Sequence, residues 1–82
     1  MKTEIFASAI YNRNKIKFLY GLNEVLLEPY YIMKDKSGRK VIYGRTNNSN
    51  EVKKFEFSRI ANIKVLNAPR FSPIIRVSGL IN

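Results

Sequence analysis

Apolar residues near the start of the chain recur first at helical spacing and then at strand spacing. The helical part has steps of one, three and four residues at Ile5, Phe6, Ala9 and Ile10. This spacing predicts a short amphipathic helix that ends near Arg13 and Asn14. From Lys15 the period falls to two, which predicts a first β-strand with one wet face over residues 15–20.

Two further stretches in the middle of the chain have strand-like composition. Residues 24–35 are interrupted by Pro29, which has no N–H for a ladder and therefore belongs at a bend, a bulge or an edge. The Ser-Gly dipeptide at 37–38 predicts a hairpin turn before the next strand at residues 40–46. Gly44 inside that strand predicts curvature or the close approach of another backbone.

The pattern changes again in the last third of the chain. Residues 52–58 predict a fourth strand with alternating side chains. After Ser58 the apolar residues Ile60 and Ile63 are three positions apart, which predicts a single helical turn with Ser58 as its cap. Residues 63–66 predict a last short strand.

The predicted order is therefore one helix followed by about five short strands joined by tight turns. This order is typical of a mainly β fold, a small and partly open barrel preceded by a short N-terminal α-helix. We expect the barrel to occupy residues 1–67 and a C-terminal tail to occupy residues 68–82. Residues 74–77 in this tail either add a strand or belong to a loosely held end.

The composition of the chain is strongly basic. The 82 residues suffice for one domain, and 15 Lys+Arg against 6 Asp+Glu give a net charge of +9. Such a field attracts phosphates, nucleic acids or acidic protein surfaces, although it also serves solubility or an acidic partner domain. The chain has no cysteine, no signal-peptide pattern and no apolar run long enough to span a bilayer, so we expect a soluble cytoplasmic protein with no membrane partner.

The residue types that most catalytic and metal sites need are missing. There is no histidine and no cysteine, the six acidic residues are scattered, and the four glycines stand singly rather than in a phosphate-binding loop. We therefore predict a protein that is not an enzyme and that carries no catalytic residue, no metal site and no cofactor.

The remaining candidate chemistry is basic and aromatic. Six basic residues fall on the second hairpin and its exit: Arg39, Lys40, Arg45, Lys53, Lys54 and Arg59. Antiparallel pairing predicts that several of them share one solvent-facing patch with Tyr43, able to bind nucleic acid or another anionic ligand. Phe55 and Phe57 are expected to point into the core instead.

Two members of this set have structural alternatives. Tyr43, like the other tyrosines in strands, suits a half-buried position at a barrel rim, because its ring is amphipathic. Arg59 near a chain reversal suits contacts with backbone carbonyls that would fix the helical turn.

Four stretches occur in a suggestive order, AIYNRNKIKFLYG, LLEPYYI, SGRKVIYGRTNN and VKKFEFSRIANI. A helix precedes a strand that ends in Tyr20, and Pro29 lies in the next strand. Gly44 lies in the strand after the turn. A closing pattern of basic residues, Phe and Ile follows at Lys53, Phe55, Arg59 and Ile60. In this order, over roughly residues 5–66, the chain resembles the WYL-domain family of bacterial regulatory modules. The position of the name-giving tripeptide is occupied by residues 40–42, Lys-Val-Ile.

The resemblance implies an Sm-like, Src-homology-type barrel preceded by a helix. It also implies a non-enzymatic module for transcription regulation or defence control that senses a ligand, in several cases single-stranded nucleic acid, and controls a DNA-binding or effector partner protein. The ligand expected here is single-stranded nucleic acid or a nucleotide.

A second class of function remains open from the residues themselves. A protein-interaction or oligomerisation module would use an exposed strand edge near Pro29 or the apolar residues 74–81 to pair with a second chain, including a second copy of this one.

Overall fold

A short helix precedes five antiparallel strands. The computed structural model describes residues 2–46, 49–67 and 70–71. Its elements are α1 (Lys2–Asn12), β1 (Lys15–Tyr20), β2 (Asn23–Lys34), β3 (Lys40–Thr46), β4 (Val52–Glu56), a 3-10 turn (Phe57–Arg59) and β5 (Ile60–Leu66). The predicted fold class, mainly β with a helix before five strands, is confirmed.

The strands form one sheet in the order β4-β3-β2-β1-β5. The sheet does not close into a barrel, since no ladder joins β4 to β5 within the described residues. The central strand is β2, so the expectation of an exposed edge near Pro29 is wrong. Instead a bulge accommodates the proline, because the β2–β3 register shifts between Pro29 and Tyr31.

The helix ends where the sequence predicted, through two backbone hydrogen bonds. The N–H of Asn14 donates to the carbonyl of Ala9 at 2.9 Å, and the N–H of Arg13 donates to the carbonyl of Ile10 at 3.2 Å. Arg13 has a φ of 58°, the left-handed conformation that usually ends a helix in this way. The chain thereby reverses directly into β1.

The core lies between α1 and one face of the sheet. The helix contributes Phe6 and Ala9, both fully buried. Rings pack edge to face, with centroids 5.0 Å apart for Phe6 and Phe57 and 5.4 Å apart for Phe18 and Phe55. The prediction that Phe55 and Phe57 point inward is confirmed, since each is only 8% exposed.

The segment after β4 differs from its prediction in two ways. The 3-10 turn begins two residues earlier, at Phe57 instead of Arg59, with Glu56 at its N-cap and no side-chain cap, so Ser58 does not cap it. The last strand already starts at Ile60. The three-residue spacing of Ile60 and Ile63 comes from a bulge, because the β1–β5 register shifts there and Asn62 has a φ of 54°.

Gly44 marks a close approach of two backbones, as predicted. It pairs with Pro29 across the β2–β3 ladder. A Cβ atom at this position would clash with the carbonyl oxygen of Glu28 and lie 2.8 Å from the Cγ of Leu27. Only glycine therefore lets β3 pass the bulge of β2 at this distance.

One residue of the predicted tail packs onto the domain. The N–H of Phe71 donates to the carbonyl of Arg13 at 3.1 Å, and its ring lies 5.9 Å from the ring of the fully buried Tyr30. The strand predicted at residues 74–77 and the apolar residues 74–81 lie outside the described residues.

Candidate functional site

Strand alternation places the two lysines of β4 on opposite faces of the sheet. Lys53 is level with Gly44 and shares a face with Phe55, which points into the core. Lys54 is level with Tyr43 on the outer face. Both lysines are exposed. The single basic patch that the sequence predicted is therefore divided between two faces.

The outer face carries a stacked pair of tyrosines. The rings of Tyr31 and Tyr43 have centroids 4.8 Å apart and planes inclined by only 12°. The bulge in β2 produces this pair, because Tyr30 is the extra residue that leaves Tyr31 directly opposite Tyr43. Without the bulge, Tyr31 would point to the other face of the sheet.

A shallow cavity of about 450 Å³ lies beside the ring of Tyr43. It is lined by the last residue of β2, three residues of the turn that follows, and one residue each from β3 and β4, namely Lys34, Asp35, Lys36, Ser37, Tyr43 and Lys54. Tyr31 lies on the β2 side of Tyr43, and Lys54 lies on its β4 side. We call Tyr31, Tyr43, Lys36 and Lys54 the tyrosine-lysine surface. Lys34 lines the cavity from the end of β2, but it shares a face with Ile32 and Lys40, the face that α1 covers.

The one acid that lines this cavity holds the turn in shape. The Oδ1 atom of Asp35 accepts the backbone N–H groups of Ser37 at 2.9 Å and Arg39 at 3.0 Å. The hydrogen bond from Arg39 is the main cause that lowers the pKa of Asp35, and the bond from Ser37 adds to it. Gly38 completes the turn with a φ of 82°.

Arg39 lies next to the tyrosine-lysine surface and remains largely solvated. Its Nη1 atom is 3.6 Å from the Oε1 atom of Glu56, and its side chain is 63% exposed. An ion pair this exposed contributes little to stability, so the guanidinium retains donors for an incoming anion. Glu56 is two residues from Lys54 on the same face of β4.

Arg45 has a different role, because a buried acid holds it. Its Nε atom donates to Oε1 of Glu28 at 3.1 Å, and its Nη2 atom donates to Oε2 at 2.9 Å. The hydroxyl of Tyr30 lies 3.4 Å from the same Oε1 atom. The bond to Glu28 raises the pKa of Arg45. This two-point contact crosses β2 and β3 beside the bulge and fixes the guanidinium within the fold.

Arg59 and Lys40 lie at two other places. The guanidinium carbon of Arg59 is 4.7 Å from the centroid of the Tyr20 ring, a cation–π contact rather than the predicted contacts with carbonyls. The hydroxyl of Tyr20 accepts the backbone N–H of Glu56 at 3.2 Å. The Nζ atom of Lys40 donates a hydrogen bond to the Oγ1 atom of Thr3 at 3.1 Å.

The structure thus divides the seven predicted site residues. Tyr43, Lys54 and Arg39 lie together around the β2–β3 turn. Lys40 follows the same turn but points to α1, and Arg45, Lys53 and Arg59 lie at other places. Two members of the surface were not predicted as site residues, namely Tyr31 and Lys36. The signal for Tyr31 was Pro29, because a proline in a central strand requires a bulge that re-aims the side chains after it.

Within residues 2–46, 49–67 and 70–71, no three His, Cys, Asp or Glu side chains are grouped so that they could hold a metal ion. The same part of the chain has no helix with the length and apolarity that crossing a membrane requires. The chain matches no protein-family model, no curated protein and no solved structure.

Proposed function

We propose that this protein is a non-enzymatic, cytoplasmic regulatory module that binds single-stranded nucleic acid or a nucleotide at the tyrosine-lysine surface. In this proposal the module acts in transcription regulation or defence control, as its resemblance to WYL domains implies, and passes ligand occupancy on to a DNA-binding or effector partner. The observation that carries the proposal is the ring of Tyr43, which stacks on the ring of Tyr31 and lines a cavity together with Lys54.

The aromatic part of the surface suits a nucleobase. The ring of Tyr31 stacks against one face of the Tyr43 ring, and this contact restricts the orientation of the Tyr43 ring. A base that enters the cavity stacks against Tyr43 and extends the row of rings. Stacking of this kind is worth about 1–3 kcal/mol per base and tolerates any sequence, because every base has a π-face.

The cationic part of the surface suits a phosphate. Lys34, Lys36 and Lys54 line the same cavity as the ring of Tyr43, and Arg39 lies next to it. A base on the ring therefore brings its own phosphate group towards three cations, the ammonium groups of Lys36 and Lys54 and the guanidinium of Arg39. The volume of about 450 Å³ is within the range of roughly 300–1,000 Å³ that is usual for small-ligand sites.

A protein-interaction module is the second candidate function, and the open sheet favours it. The strands β4 and β5 stand at the two ends of the sheet order. The edge strand β4 carries Lys53 and Lys54, and lysines discourage strand addition. The edge strand β5 is the more apolar edge at which a second chain could pair, since its residue Val65 is 39% exposed. A second strand, including one from another copy of the chain, would add to β5.

Fluorescence anisotropy with labelled single-stranded DNA and RNA of about 12 nucleotides, a typical site size, tests the first proposal. We expect binding in about 50 mM salt that weakens at about 200 mM, with a slope of log K against log salt near −2 for three neutralised phosphates. Absence of binding in low salt would exclude nucleic acid as the ligand.

Light scattering on the same samples tests the second candidate function, the protein-interaction module, which predicts an oligomer that persists in high salt.

A further inference from the structure

Two lysines face each other directly across the β1–β5 ladder. Lys17 of β1 is level with Lys64 of β5. Both side chains point to the outer face, because the neighbours of Lys17 in β1, Ile16 and Phe18, are buried in the core. Opposed residues in antiparallel strands have Cβ atoms about 4.5–5.5 Å apart, and like charges in that position destabilise the sheet. From this pair we propose a second anion site, separate from the tyrosine-lysine surface.

The pair has no hydrogen-bonded or ion-paired partner in the described part of the chain. Neither ammonium group forms a hydrogen bond or an ion pair there. A second opposed pair, Lys34 and Lys40, differs in this respect, because Lys40 donates to the hydroxyl of Thr3. In the pair of Lys17 and Lys64, by contrast, neither ammonium group has a hydrogen-bond partner among the described residues, and a bound anion would relieve the repulsion.

A depression of about 360 Å³ lies beside the pair, where an anion can be held. Its lining includes Lys17, Lys64 and Asn62. Asn62 belongs to the bulge in β5, where the register shift leaves an extra residue without a partner in the ladder. The bulge thus brings a carboxamide next to two ammonium groups, and all three can donate hydrogen bonds to phosphate oxygens.

One carboxylate in the same depression narrows the class of ligand. Glu24 lines the depression and forms no ion pair with either lysine. A carboxylate repels a bare anion but accepts hydrogen bonds from hydroxyl groups. Two ammonium groups beside one carboxylate suit a sugar phosphate. Its phosphate group binds Lys17 and Lys64, and its hydroxyl groups donate hydrogen bonds to Glu24. Such a unit occurs in free nucleotides and sugar phosphates, and also in the backbone of a nucleic acid.

The site has a thermodynamic signature that an ordinary surface charge lacks. Since Lys17 and Lys64 repel each other, removal of one charge stabilises the ligand-free fold and also removes a donor from the site. A ligand that binds only the folded state raises the melting temperature. The variant Lys64→Gln should therefore melt higher than the wild type without ligand and should lose most of the ligand-induced rise.

The experiment titrates the full chain, in low salt, with ribose 5-phosphate, inorganic phosphate and a short single-stranded RNA, and follows backbone amide NMR signals and melting temperatures. We expect saturable shifts at residues 17, 24, 62 and 64, and roughly tenfold weaker binding by Lys64→Gln for the loss of one charged hydrogen bond. The matched control is Lys53→Gln, which removes the same charge from β4 and should bind like the wild type.

The outcomes separate the two sources of the sugar phosphate. Saturation by ribose 5-phosphate supports a free ligand, and saturation by RNA alone supports a nucleic-acid backbone. The proposal is overturned if neither ligand shifts these residues, or if Lys53→Gln weakens binding as much as Lys64→Gln. Shifts at the tyrosine-lysine surface report on the proposed function separately, and the variant Lys54→Gln should leave the second site unchanged.

Discussion

The ring of Tyr43 stacks on the ring of Tyr31, with centroids 4.8 Å apart and ring planes inclined by 12°. The two residues come from neighbouring strands and meet only because Tyr30 is an extra residue in β2. This relationship gives the outer face of the sheet a supported aromatic ring next to lysines. It is the feature on which the proposed binding of single-stranded nucleic acid depends most directly.

Replacing Tyr43 by leucine should remove the stacking partner for a base. We expect the affinity for single-stranded oligonucleotides to fall roughly 5- to 150-fold, which corresponds to the loss of about 1–3 kcal/mol. The variant Tyr43→Phe keeps the ring and should bind within about twofold of the wild type. Anisotropy titrations measure both. Tyr11→Leu is the control, because Tyr11 is 87% exposed at the end of α1, and equal losses in Tyr11→Leu and Tyr43→Leu would contradict the proposal.

Lys54 and Lys53 form a matched pair of test positions, since they are adjacent in sequence and lie on opposite faces of β4. Lys54→Gln should reduce the magnitude of the salt slope by about 0.7, the share of one phosphate contact to a single strand. Lys53→Gln removes the same charge and should leave the slope unchanged. Titrations at several salt concentrations measure these slopes. If the two variants behave alike, net charge rather than the surface accounts for binding.

The pair of Glu28 and Arg45 should behave as a structural unit rather than as a binding element. Arg45→Met leaves the carboxylate of Glu28 buried without its partner, so the melting temperature should fall by several degrees. In the double variant with Glu28→Leu no unpaired charge is left, and much of that loss should be recovered. Thermal unfolding followed by circular dichroism tests this. Two independent, additive losses would show that the contact has no energetic role.

Gly44 should not tolerate a side chain. In Gly44→Ala the new Cβ atom overlaps the backbone of β2, so we expect destabilisation of about 1–3 kcal/mol or a failure to fold. Urea denaturation gives the value. Gly21→Asn is the control, because Gly21 has a φ of 65° and open space around it, and asparagine accepts that conformation at less than about 1 kcal/mol. A Gly44→Ala variant as stable as the wild type would refute the close approach.

Asp35 should make the turn beside the cavity sensitive to acid. Because its pKa is lowered in the folded state, chiefly by the hydrogen bond from the N–H of Arg39, folding favours the carboxylate. The stabilisation is complete above the unfolded pKa, near 3.8, and is lost as the pH falls through the lowered value. Asp35→Asn keeps an acceptor without the charge.

Melting temperatures of the wild type and Asp35→Asn between about pH 2 and pH 6 test this linkage. The advantage of the wild type should be constant at the upper end of this range and should shrink as the carboxylate becomes protonated. A difference between the two proteins that does not change with pH would show that the charge of Asp35 has no part in the turn.

The fold could be predicted largely from local patterns. Period-two alternation predicted β1, strand-like composition predicted β3, and the Ser-Gly dipeptide predicted the turn, in which Gly38 has a φ of 82°. The exit from β4 could not be predicted in the same way. The spacing of Ile60 and Ile63 indicated a helical turn, because a bulge and a turn of helix both place apolar residues three apart, and pairing with β1 decided between them.

The candidate site could be predicted even less from local patterns, because its composition depends on which strands pair and in which register. The sequence showed that the second hairpin is basic and aromatic, and that Phe55 and Phe57 belong inside, because these properties follow from residue type and alternation. The register of the strands, set by bulges at Tyr30 and Asn62, then assigned Tyr31 to Tyr43 and Lys17 to Lys64. Which charges meet and which separate is a long-range property, since one inserted residue moves every later side chain to the other face.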